Sequence, residues 1–321
     1  GNVLDGKKVT IKSGETVIVT VDDAFVTAST DNQPAHISLN WKALPKKVSK
    51  GVKILIADGL LELNVEHTDG LTVTCKATNT AEIGSKKNVN LIGIHAGLPI
   101  MSEQDKKDIE FGAKVGLDFV AASFVSFASE IHEIRNFLDN LNSPMKIIAK
   151  IENEEGLDNI EEIVQAADGV MVARGDLGVQ LPTERIPLAQ KRIIAECRKA
   201  GKPVITATQM LESMIQNPRP TRAELTDVAN AIFDGTDAVM LSGETANGKY
   251  PVEAVATMDR IAKTVEDSPD YCERIKSALP ELGNGGTIGK IMARMAYMTA
   301  DQVKAMCIVV PTLSGNTAKM I

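Results

Sequence analysis

The sequence predicts an α/β protein, a β-rich opening followed by consecutive βα units that place their strands in one parallel sheet. Three observations predict it. Short Val/Thr/Ile/Leu runs broken by turn dipeptides fill residues 1–90. Longer apolar runs then recur at the interval of βα units. An aromatic share of only 3% leaves the core to aliphatic side chains, the usual filling around buried parallel strands.

In the opening region the runs are 8–11, 16–21, 53–57, 61–65 and 71–75, separated by Ser13-Gly14, Asp58-Gly59 and Asp69-Gly70. Strands this short and close together predict a small all-β domain of barrel type. The pattern changes near Asn90. Ser102 and Asp105 stand at capping-box spacing and open a helix. Apolar runs at 119–124, 145–151, 169–174, 203–208 and 238–243 begin 26, 24, 34 and 35 residues apart, the period of βα units. Between them, Ile131, Ile134, Leu138 and Leu141 share one helical face, and Leu157, Ile160 and Val164 share another. A helix is expected over 251–265 and a boundary at Ser268-Pro269-Asp270. A Gly-rich loop over 282–286, a helix over 288–298 and a strand over 305–310 follow. One strand cannot bury both faces of a sheet, so residues 269–321 read as the start of a further α/β domain.

Composition excludes several classes. Charged residues make up 24% and net charge is −7. The two signs are mixed and no Lys/Arg stripe appears, so neither a nucleic-acid partner nor an anionic-membrane surface is expected. Cys75, Cys197, Cys272 and Cys307 form no C-x-x-C pair, and His36, His67, His95 and His132 keep no ligand spacing. The thiols read as reduced and partly buried. No apolar run approaches a membrane span and no signal-peptide pattern opens the chain, so the expected compartment is the cytoplasm.

The chemistry sits where the strands end. Successive runs finish in polar residues: Lys150 and Glu152, Arg174 and Asp176, Thr208, then Ser242 and Glu244. In parallel β/α folds ligands bind at the carboxyl ends of strands, so these groups predict an enzyme. On a strand, residues i and i+2 point the same way, so Lys150 and Glu152 share a direction while Ile151 faces the helices. Glu152 and Asp176 on neighbouring strand ends suit one hard divalent cation. Lys150 beside it adds a second positive centre for a phosphoryl group in transfer. The competing reading is a buried Lys–Glu pair that only holds the fold together.

Five segments, 149–156 (Ala-Lys-Ile-Glu-Asn-Glu-Glu-Gly), 171–178 (Met-Val-Ala-Arg-Gly-Asp-Leu-Gly), 206–214 (Thr-Ala-Thr-Gln-Met-Leu-Glu-Ser-Met), 217–224 (Asn-Pro-Arg-Pro-Thr-Arg-Ala-Glu) and 241–246 (Leu-Ser-Gly-Glu-Thr-Ala), resemble the pyruvate kinase family and come in its order. The resemblance implies a TIM-type (β/α)8 barrel of which only the later strands, four to eight, are present. Residues 1–90 would be its inserted β-barrel lid, 91–268 the barrel and 269–321 the start of the C-terminal α/β domain. It implies phosphoryl transfer from phosphoenolpyruvate to ADP, giving pyruvate and ATP. Glu152 and Asp176 would hold Mg²⁺ (or Mn²⁺), and Lys150 would stabilise the phosphoryl group. The Gly175 and Asp176 amides and the Thr208 hydroxyl would hold the substrate carboxylate. Thr208, Ser242 and Glu244 would lie near the face where the enolate takes its proton. Lid closure would exclude water, and Asp58 would sit on a lid turn that approaches the metal–nucleotide complex; a plain turn aspartate is the alternative. Arg222 would belong to an interface loop of a homo-oligomer, a tetramer in the family. Thr312, Ser314, Gly315, Asn316 and Thr317 resemble a phosphate loop for an effector, or else simply cap a helix.

The chain departs from the family in two ways. It supplies five barrel strands of eight, so it reads as cut at both ends, and the ligands of the family's K⁺ are expected outside it. Ile92 stands where the family usually has proline near the lid exit. Two hypotheses follow: part of a complete, active pyruvate kinase, or a non-catalytic fragment or metal-binding module of one that lacks the first barrel strands.

Overall fold

The computed structural model describes residues 1–3, 7–94, 96–277 and 287–321. The Gly-rich loop expected over 282–286 lies outside them. The described residues form two compact units. One comprises Gly1–Asp108, Glu152–Asp158 and Arg174–Pro187; the other comprises Ile109–Ile151, Asn159–Ala173 and Leu188–Ile321.

The first unit is built on short strands: β1 (Asn2–Val3), β2 (Val9–Ile11), β3 (Thr16–Thr20), β4 (Phe25–Val26), β5 (Ala35–Ser38), β6 (Lys53–Ile56), β7 (Leu61–Thr68), β8 (Val73–Ala77), β9 (Ala81–Ile83) and β10 (Val89–Leu91), with a helical turn, α1 (Leu44–Lys47), between β5 and β6. Six of them form a sheet in the order β10-β6-β7-β8-β3-β5, while β1 pairs with β4 and β2 with β9. Alternation sets the core. Val17 and Val19 of β3, Leu61, Leu63 and Val65 of β7, and Val73, Cys75 and Ala77 of β8 face inward, and the residues between them are partly or fully exposed. A register shift between Val65 and His67 bends β7 where its inward series ends. The predicted Asp58-Gly59 turn is a run of left-handed residues, with Ala57, Asp58 and Gly59 at φ 54°, 57° and 84°.

The second unit holds the parallel sheet. Its strands are β11 (Phe119–Ala122), β12 (Lys146–Ile151), β13 (Gly169–Ala173), β14 (Val204–Ala207) and β15 (Ala238–Met240). They lie in chain order and every neighbouring pair is parallel, as a succession of βα units requires. Along the chain the helices are α2 (Glu103–Val115), α3 (Ala128–Asn140), α4 (Glu154–Asp158), α5 (Ile160–Ala166), α6 (Arg174–Gln180), α7 (Ile186–Ala200), α8 (Arg222–Asp234), α9 (Gly243–Ala246), α10 (Pro251–Glu266), α11 (Pro269–Ser277), α12 (Ile288–Gln302) and α13 (Asn316–Met320). Ile147, Ala149 and Ile151 of β12 are fully buried on one sheet face. On the other face Ile148, Met171 and Ala207 cluster with Ile205 and Met240. The α2 cap is reciprocal as expected: the Ser102 amide donates to Asp105 at 2.8 Å and the Asp105 amide to the Ser102 hydroxyl at 3.1 Å.

Two expectations need correction. The helical stretch read through Leu157, Ile160 and Val164 is two helices, α4 and α5, broken at Asn159. The Asn159 side-chain amide donates to the Ser126 carbonyl at 2.9 Å, and its backbone is turned out of helical geometry. The strand expected over 305–310 does not form. Met306 and Val309 are exposed, and a strand exists only where a neighbour completes its ladder. Cys75 and Cys197 are buried, and burial pushes both thiols up to about 12, so they stay protonated; Cys307 is exposed.

Asp168 fastens the amino end of β12. It accepts the Ile147 amide at 2.9 Å, pairs with Arg135, and lies 3.4 Å from the Lys146 ammonium. Burial alone would push its carboxyl up. The Ile147 amide and the charges of Arg135 and Lys146 outweigh this and hold it below its ordinary value of 3.8. A lowered folded pKa contributes stability that is present above the unfolded value and lost as pH falls through the folded one. Asp168→Asn should therefore lower resistance to urea at neutral pH and narrow the wild-type advantage below pH 3.8. Parallel unfolding curves for the two proteins at both pH values test it.

Candidate active site

Every strand of the parallel sheet delivers its following residues to the same edge, because parallel neighbours share one direction. Register keeps the ends level, with Ile151 opposite Val172, Ala173 opposite Ala207 and Ala207 opposite Met240. The predicted groups stand at or just past those ends.

Lys150 is the penultimate residue of β12 and is half-buried on the face of Ile148, where its Nζ donates to the Ser123 hydroxyl at 2.9 Å. Ser123 immediately follows β11, and the sequence reading missed it. The signal was the one used on the other strands, a polar residue closing an apolar run.

Glu152 is the first residue beyond β12 and is 1% exposed. Asp176 is the third residue of α6 and is half-exposed. Its neighbours Gly175 and Arg174 also lie in the first turn of α6, and Arg174 is buried. β13 therefore runs directly into a helix. In that first turn amides are not used by the helix ladder. Both carboxylates belong to the first unit. As donors they are hard oxygens, the type Mg²⁺ and Mn²⁺ take. Among the described residues no group of three or more His, Cys, Asp or Glu side chains could hold a metal ion.

Thr208 follows β14 with φ 70°, and Gln209 follows with φ 53°. A β-branched residue in the left-handed region is a strained one, and each such residue costs about 1–2 kcal/mol. The next residues explain how the strain is held. Met210 and Leu211 are fully buried against Val228, Ala231 and Ala254 of α8 and α10, and burying two such side chains contributes roughly 1.5–3 kcal/mol each. The Thr208 hydroxyl donates to the Ala207 carbonyl at 2.6 Å.

Ser242 precedes α9, and Glu244 within α9 is fully buried. One Glu244 oxygen accepts the Leu211 amide at 3.0 Å and the other accepts the Ser242 amide at 2.8 Å. Glu244 therefore ties the segment after β14 to the segment after β15. Its carboxylate also helps push the Glu212 carboxyl up, although desolvation is the larger cause.

The remaining candidates lie on other elements. Asp58 is exposed on its turn, where its carboxylate accepts from the Asn88 side chain and its amide donates to the Asn88 oxygen at 3.2 Å. Arg222 is exposed at the start of α8, behind a Thr221–Glu224 capping box. In the 312–317 loop the Gly315 amide donates to the Thr312 hydroxyl at 3.1 Å and the Asn316 amide to the Ser314 hydroxyl at 3.4 Å. Gly315 is left-handed at φ 78°, which a glycine there accommodates without strain.

Consecutive parallel βα units with polar groups at one edge, joined in one chain to a small β domain, define a β/α-barrel protein. The sequence profile described as pyruvate kinase, barrel domain, matches residues 1–255. The chain belongs to the pyruvate kinase family. It is 52% identical over 288 residues to a pyruvate kinase of Sporosarcina psychrophila, covering 88% of this chain and 49% of that one. It is 47% identical over 322 residues to a pyruvate kinase of Geobacillus stearothermophilus, covering 99% of this chain and 53% of that one. A crystal structure of a pyruvate kinase from Cryptosporidium parvum superposes with a TM-score of 0.90 at 42% identity, covering all of this chain and 65% of that one. The chain spans about half the length of these curated relatives.

Proposed function

We propose that the full-length protein carrying this chain is a pyruvate kinase, transferring the phosphoryl group of phosphoenolpyruvate to ADP and releasing pyruvate and ATP. The observation that supports it most is the placement of Lys150, Thr208 and Ser242 at or past the carboxyl ends of β12, β14 and β15, in a chain of this family. Phosphoryl transfer asks a protein for position and positive charge more than for covalent chemistry, and the Lys150 ammonium, held by the Ser123 hydroxyl, supplies both.

In this reading Glu152 and Asp176 bind the divalent cation, Mg²⁺ or Mn²⁺, which supplies charge neutralisation at the phosphoryl and enolate oxygens when bound. Lys150 holds the phosphoryl oxygens. The Gly175 and Asp176 amides and the Thr208 hydroxyl orient the substrate carboxylate. Thr208 and Ser242 line the face on which the enolate is protonated through water. Asp58 contributes to nucleotide binding. The family's K⁺ requirement, homotetrameric assembly through the Arg222 loop, a cytoplasmic setting and effector binding at 312–317 complete the proposal. Among the described residues no helix is long and apolar enough to cross a membrane.

A coupled assay for pyruvate from phosphoenolpyruvate and ADP tests the reading. Turnover that needs Mg²⁺ and stops with a chelator is expected. Mg²⁺ binding with no turnover would replace it with the non-catalytic reading.

A further inference from the structure

We infer that Glu244 is a positioning residue, whose carboxylate holds the Thr208–Gln209 backbone in its left-handed conformation by clamping the Leu211 and Ser242 amides. The inference rests on the reading of Thr208 as a substrate-facing group, and it gives Glu244 a task other than carrying a proton.

Three observations carry it. Thr208 and Gln209 are consecutive non-glycine residues at φ 70° and 53°, so the chain is held there against its own preference. Two residues on, the Leu211 amide is fixed by one Glu244 oxygen at 3.0 Å, and the other oxygen fixes the Ser242 amide at 2.8 Å. Glu244 is itself completely buried. A carboxylate offers two equivalent acceptors and can serve two amide donors at once. Glutamine cannot, since its NH₂ would face one of the donors whichever way the amide is turned. Both Glu244 oxygens are engaged by backbone amides, the arrangement of a structural tie. It acts on Thr208 and Ser242 together, by joining the segments that follow β14 and β15.

The test uses the full-length protein and three variants. Glu244→Gln should lower kcat by roughly 10²-fold, the cost of a small misplacement of a reacting group, with a smaller change in KM and an unaltered shape of the pH profile. Gln209→Gly added to that variant should recover about tenfold in kcat, because glycine removes the strain of one left-handed residue. Loss of one limb of the pH profile in Glu244→Gln, with no recovery from Gln209→Gly, would overturn the inference in favour of a proton-transfer role. Should Glu244→Gln not fold, Gln209→Val decides. It leaves the clamp in place but adds a β-branched side chain at φ 53°, so kcat should fall with the pH profile unchanged; an unchanged kcat would overturn the inference. Amide exchange separates this idea from the proposed function. The Leu211 and Ser242 amides should exchange slowly in the wild type and markedly faster in Glu244→Gln, whether or not the protein turns over phosphoenolpyruvate. Equal exchange rates in both proteins would remove the clamp.

Discussion

Lys150→Met should reduce pyruvate formation by about 10³-fold or more while leaving the fold and Mn²⁺ binding intact, the magnitude expected when a cation is removed from a transferring phosphoryl group. Methionine retains a flexible, unbranched chain on the sheet face that holds Ile148 and Met171, so the packing change is nearly volume-conserving and costs less than about 1.5 kcal/mol. What disappears is the ammonium and its hydrogen bond to Ser123. Ser123→Ala offers the graded comparison. It keeps the charge but frees the ammonium from one of its anchors, and the loss in kcat should be far smaller than for Lys150→Met. Measured side by side, a lysine variant within about tenfold of wild type would remove Lys150 from the chemistry.

The parts of this protein legible in its sequence are those where one period dominates. β12 alternates fully buried Ile147, Ala149 and Ile151 with residues of the opposite face, and the recurrence of such runs announced a parallel sheet whose observed strand order is simply chain order. The Asp58-Gly59 and Asp69-Gly70 turns were equally plain, since the backbone there needs the left-handed region that glycine enters freely. Shorter elements escaped. β4 has two residues, and β9 and β10 have three each, too few for alternation to register. The break at Asn159 could not be read because apolar spacing continues across it, and only a tertiary hydrogen bond to Ser126 marks it. At the site, the residue types could be read but the restraints on them could not. Nothing in Thr208-Gln209 suggests a left-handed backbone; its propensities point the other way, and the conformation stands on the burial of Met210 and Leu211 and on a carboxylate 33 residues from Leu211. Likewise Asn88 reaches Asp58 across 30 residues of sequence. Such pairs are set by topology, which a single sequence carries only indirectly.

Glu152→Gln should remove most of the stabilisation that Mn²⁺ gives the protein. A ligand that binds only the folded state adds stability as the logarithm of one plus the ratio of its concentration to its Kd, about 2.7 kcal/mol at a hundred times its Kd, so thermal unfolding with and without Mn²⁺ reads the site independently of turnover. The substitution is nearly isosteric at a position that is 1% exposed, and what it takes from the proposed ion is one of two full negative charges. An amide oxygen is a weaker donor, and the apparent affinity should fall by roughly 10²-fold, at least the loss seen on disturbing groups that merely support metal ligands. Asp176→Asn should act in the same direction. If both carboxylates grip one ion, the double variant should lose little beyond either single one, because the site is already broken, and groups that share a partner do not add. Independent, additive losses would mean two separate sites. An undiminished Mn²⁺ shift in Glu152→Gln would leave this buried carboxylate as a structural group, and the proposed chemistry would need another place for its cation.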